Sequence, residues 1–159
     1  MTVRFEKVDG ASACRVTARR AVGKPFPVSC MGGATRLPHD LATFVVEREL
    51  GVRGGFFNLT AHGAIFRSSK RPFTRPGRQL IAEHRAELDA AETLVNAEQD
   101  AWRAGRPTPV AAVLDEADRA WAALPAGAAL ELTWPRLPLP GRQAATARSA
   151  RRARLPASR

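Results

Sequence analysis

No stretch of this chain approaches the ~20 consecutive apolar residues that cross a bilayer. The first eight residues, Met1 to Val8, alternate charge with hydrophobe where a secretory leader would carry an apolar core. These absences lead to the expectation of a cytoplasmic protein with no membrane insertion. Cysteine is scarce as well: Cys14 and Cys30 are too few for a disulfide framework, and neither belongs to a CxxC. Each lies in a short apolar segment, which favours a buried thiol over a metal ligand or nucleophile.

Lysine is nearly missing among the bases. Lys7, Lys24 and Lys70 are the whole set, and arginine supplies the rest of the formal charge of +10. That imbalance resembles GC-rich coding, so the high charge alone does not identify a polyanionic partner. Also absent are G-x-x-x-x-G-K-[ST], G-x-G-x-x-G and G-x-S-x-G, which removes the usual arguments for nucleotide binding or an esterase. No helix-turn-helix, zinc-finger or RNA-recognition motif is recognisable, so nothing points to sequence-specific readout.

Acidic residues are wholly missing after position 134, where Arg136, Arg142, Arg148, Arg151, Arg152, Arg154 and Arg159 stand among Pro, Ala and Ser. The expected organisation is one α+β domain over residues 1–135 and a disordered Arg-rich tail over 136–159. A hydrophobic content of 45% suffices for one core of ordinary size. A second acid-free run, R-S-S-K-R-P-F-T-R-P-G-R from Arg67 to Arg78, leads into a long helical pattern. Arg71, Arg75 and Arg78 in this run, with Arg148, Arg151, Arg152 and Arg154 in the tail, are the candidate contacts to an acidic partner. Nucleic acid is the simplest such partner. Phe73 is the lone aromatic across both regions, so backbone phosphates and not stacked bases would be the target.

Val3 and Phe5 alternate with polar neighbours, Asp9-Gly10 offers a turn, and Cys14, Val16 and Ala18 alternate again, which predicts a β-hairpin. A third short strand is expected around Pro27 to Cys30. Pro38 and Gly51 bracket a helix over 38–50. Residues 51–77, with five glycines and two prolines, read as irregular, with a short strand at Ala64 to Arg67. From Gln79 to Ala104, Ile81, Leu88, Val95 and Trp102 recur every seven residues with Ala91 and Leu94 on the same face, predicting one long helix. Thr108 and Pro109 open another, carrying Val110, Leu114 and Trp121 on one side. Leu130, Leu132 and Trp134 form a last strand that should join the N-terminal hairpin. The predicted architecture is a small, mostly antiparallel sheet packed against one short helix and a long helical hairpin.

The run L-P-H-D-L-A-T-F-V-V-E from Leu37 to Glu47 holds the chemistry. At 100° per residue, His39, Asp40, Thr43 and Glu47 share one flank, with Leu41, Phe44 and Val45 opposite. The pattern approaches H-E-x-x-H, in which two histidines bind zinc and the intervening acid activates water. Here Asp40 stands for the acid and Thr43 replaces the second histidine. A zinc-dependent hydrolase-like protein, active or not, would therefore use His39 and a distant ligand such as His62 for the metal, and Asp40 for catalysis. Glu47 cannot join His39 on one ion, because eight helical residues span about 12 Å. The alternative is a solvated polar flank with Asp40 serving the helix dipole. A third reading is a small-molecule binding or accessory domain, which would show a pocket between the first helix and the long one.

The same run, extended through E-R-E-L-G-V-R-G-G-F-F, resembles the hallmark of an uncharacterised bacterial protein family, L-P-H-D-L-x-[HT]-F-x-V-E. The later W-A-A-L-P-A-G and L-E-L-T-W-P resemble that family too. The resemblance implies relatedness over most of the chain before the tail, and no activity comes with it.

Overall fold

The computed structural model describes residues 1–8, 14–28, 37–66 and 74–141. The Asp9-Gly10 turn, Cys30, Arg67, Arg71 and the tail arginines from Arg142 onward lie outside the described residues.

Alternation in the N-terminal segments produces β1 (Thr2–Lys7) and β2 (Cys14–Arg19), followed by a two-residue β3 (Phe26–Pro27). The last strand, β4 (Ala129–Thr133), pairs with β1, so all neighbours are antiparallel and the order is β3-β2-β1-β4. Period-2 register puts Val3 opposite Ala18 and Leu132, and Phe5 opposite Val16 and Leu130, which gathers the apolar side chains on one face. Val3, Phe5, Val16 and Ala18 are all fully or almost fully buried there, beside the Cys14 thiol.

The described residues contain five helices: α1 (His39–Glu49), α2 (Phe56–Ala61), α3 (Arg75–Glu83), α4 (Arg85–Arg103) and α5 (Ala111–Ala123). The α+β architecture is the one the sequence implies, but α1 is more central than a surface helix. It lies against the sheet through Phe44, whose ring meets Phe5 edge-on at 5.6 Å, and it packs on α4 and α5 as well. Leu41, Ala42, Phe44, Val45 and Val46 are consequently buried around most of its circumference. Gly51 at φ +63° closes it in the left-handed conformation that glycine takes without strain.

Two element boundaries depart from expectation. The long helix starts early, at Arg75, because Thr74 Oγ1 accepts the Gly77 N–H (3.2 Å) and Pro76 occupies the first turn, where no N–H is required. It then breaks at His84, which leaves helical geometry (φ −113°, ψ 25°) and buries its imidazole between α3 and α4. No glycine or proline marks that break.

Residues 51–77 also contain a helix where none was expected, α2, while Ala64 to Phe66 are not strand. The Gly54-Gly55 pair permits it. A Cβ on Gly55 would fall 2.4 Å from the Glu47 carboxyl carbon, and one on Gly54 would fall 2.4 Å from Glu87 Cβ. The start of α2 therefore sits where only glycine fits, wedged between α1 and α4.

Candidate functional site

The polar flank of α1 faces α4 across a cleft of about 270 Å³. His39, Asp40, Thr43 and Glu47 line one side of it, just as helical spacing places them. The opposite wall uses Leu88, Glu92, Val95 and Asn96, which recur at three- and four-residue intervals on α4, and Phe56 and Phe66 close one end. Those two rings stack with centroids 4.4 Å apart.

The surroundings of His39 favour one tautomer of its neutral ring. Arg103 Nη2 donates to Gln99 Oε1 (3.0 Å), which fixes that atom as the oxygen of the amide. The same oxygen lies 3.2 Å from His39 Nδ1, so in the neutral ring Nδ1 carries the proton and donates it. Nε2 is left with its lone pair. Thr43 does not occupy it: the Thr43 hydroxyl donates to the His39 carbonyl (2.9 Å), and its oxygen stays 3.5 Å from Nε2. The arrangement has a cost, since Gln99 Nε2 is buried with no partner among the described residues. The Arg103 bond holds the amide in that orientation despite the cost.

Glu47 corrects the expectation of a solvated flank. Its relative exposure is 2%, and its two carboxylate oxygens accept the backbone N–H of Phe56 (2.7 Å) and Phe57 (2.9 Å). These are orphan donors of the first turn of α2, so a side chain from α1 caps another helix. Burial pushes the Glu47 carboxyl up from 4.5 to about 7, against the two N–H bonds, which pull it down.

The zinc arrangement does not assemble. His62 makes its contacts away from the cleft: Nε2 is 2.8 Å from the Leu137 carbonyl, and Nδ1 is 3.5 Å from Arg136. Among the described residues, no group of three or more His, Cys, Asp or Glu side chains is placed to hold a metal ion. Thr43 stands where an H-E-x-x-H site would supply its second imidazole, so the described residues offer no donor set that fits zinc.

Gln99 was not among the residues singled out from the sequence. Its signal was present, however: Ala91, Val95 and Gln99 fall one turn apart, and a glutamine on such a stripe must find a partner. The expected Leu94 lies off that stripe and is 37% exposed. Of the arginines proposed to meet an acidic partner, Arg75 and Arg78 are exposed on the first turn of α3. Arg20, not singled out, ties the sheet to α2 by donating to the Thr60 and Ala64 carbonyls (both 2.8 Å).

No family model, no curated protein and no solved structure matches this chain.

Proposed function

We propose that this chain is a small binding protein whose ligand occupies the α1–α4 cleft, with His39 Nε2 as an accepting anchor. The observation that carries this reading is the coincidence, in one apolar-walled cavity, of an imidazole whose Nδ1 is tied to Gln99 and the buried Glu47 carboxyl. Ligand sites combine apolar walls with a few convergent polar groups, and perturbed carboxyls concentrate in them. At about 270 Å³ the cleft lies just below the usual ~300–1,000 Å³ range for ligand sites, which suits a small organic molecule.

A fragment collection containing cations, neutrals and anions, screened by protein-observed NMR on the full chain, tests this. Hits should shift resonances of His39, Thr43, Leu88 and Val95, and Asn96→Trp, which fills the cleft from an exposed position on α4, should abolish them. Hits that map elsewhere, or that survive Asn96→Trp, would remove the cleft from the account.

A second reading concerns the basic segments. The exposure of Arg75 and Arg78 at the start of α3 supports contact with an acidic partner, nucleic acid being the simplest. Each phosphate contact adds about 0.9 to the slope of log affinity against log salt on duplex DNA. Binding of duplex DNA should therefore show a smaller salt slope once residues 136–159 are removed, and a smaller one again for Arg75→Ser with Arg78→Ser. An unchanged slope in both cases would end this reading.

A further inference from the structure

We propose that the α1–α4 cleft selects a small organic amine, a compact apolar or aromatic body ending in a protonated nitrogen. The inference rests on the cleft being a ligand site and adds the chemistry of what enters it.

Three features of the lining converge on that class. The first is acceptors. With Nδ1 committed to Gln99, the His39 ring offers Nε2, which can only accept a hydrogen bond while the ring is neutral. Asp40 and Glu92 add carboxylates on facing helices, so a donor-bearing ligand meets acceptors from both walls. The second is charge. Arg85 is the one arginine or lysine among the described lining residues, and its Nε is bonded to Asp89 at 2.9–3.0 Å, both side chains being exposed. Among the described lining residues, Asp40 and Glu92 therefore outnumber it even if Glu47 is counted as neutral. The third is the wall itself: Phe56 and Phe66 supply stacked aromatic surface, which attracts an ammonium group by its ring quadrupole and also accommodates an apolar body.

An anionic ligand finds the reverse. Among the described lining residues it would meet the Asp40 and Glu92 carboxylates, with Asn96 and Arg85 as its donors.

Three probes that share a body but differ in charge separate the possibilities: 2-phenylethylamine, 2-phenylethanol and phenylacetate, each titrated into the full chain and followed by NMR. The amine should bind about tenfold more tightly than the carboxylate, with the alcohol between, as expected for partly exposed ion pairs. Glu92→Gln, an exposed and structurally mild change, should weaken the amine roughly threefold while leaving the alcohol alone. Should the alcohol or carboxylate bind in the cleft as tightly as the amine, the ligand class is wrong and the binding reading stands. Should none of the three perturb the cleft while other fragments do, the class again fails alone. If no molecule of any charge binds there, both fall together.

Discussion

Glu47→Gln should change the pH dependence of folding more than any other single substitution in the cleft. The parent carboxyl has a folded-state pKa of about 7 against 4.5 when unperturbed, so between those values the native chain holds a proton that the unfolded chain has released. For a group bound more tightly by the native state, stability falls as pH rises, and the fall is complete once pH passes the folded value. Glu47 is thus most favourable below pH 4.5, and its contribution decreases by roughly 3 kcal/mol on going above pH 7. Glutamine has no charge to bury and is free of this loss. It cannot match the carboxyl at low pH either, because one amide oxygen remains to accept two N–H groups, at a cost of about 1 kcal/mol. Urea unfolding of both proteins from pH 4.5 to 8 should therefore show the variant less stable at the acid end and overtaking the parent near neutrality. A stability difference that stays constant with pH would mean that Glu47 is solvated and that α2 is not capped in this way.

Trp134→Ala should be the most destabilising single change, by about 3–5 kcal/mol. Trp134 is 1% exposed and contacts both Phe44 (5.3 Å, edge-on) and Phe57 (5.8 Å), so its removal opens a cavity where the sheet, α1 and α2 meet. Its indole N–H also donates to Asn58 Oδ1 (3.2 Å), the same oxygen that receives the Leu137 N–H (3.1 Å). That oxygen anchors the chain leaving β4 onto α2. Trp134→Phe refills most of the volume but not the hydrogen bond, and should cost about 1–2 kcal/mol. The two variants, compared by denaturant unfolding, separate packing from bonding. Equal losses in both would assign the whole effect to the indole N–H and overturn the cavity argument.

Much of this architecture was legible because it depends on short-range periodicity. Alternation in Val3–Phe5, Cys14–Ala18 and Leu130–Leu132 is a two-residue signal, and any sheet that buries one face must satisfy it. The helical spacing of His39, Asp40, Thr43 and Glu47 likewise guarantees a shared flank before any packing is known. What that flank meets is a different matter. The same spacing fits open water, a metal or a cleft, and the choice was made by α4, a helix that begins 36 residues after α1 ends.

The departures have the same origin. A six-residue helix lacks the length to be stable on its own, and α2 has no capping side chain of its own, since Gly55 precedes it and Glu47 reaches over from α1. Rules that look for a cap next to the helix cannot register one supplied by another element. His84 breaks a segment whose composition favours continuous helix, because tertiary burial outweighs propensities of less than about 1 kcal/mol per residue.

By itself, then, the amino-acid order determined the strand faces, the apolar side of each long helix and the polar group carried by α1, all of them consequences of periods of 2 and 3.6 residues. Tertiary structure alone decided that Glu47 would be buried, that Gln99 and Arg103 would set the His39 tautomer, and that His62 would sit apart from His39. Each of those outcomes depends on hydrogen bonds between segments distant along the chain, whose closeness is set by packing and leaves no periodic trace.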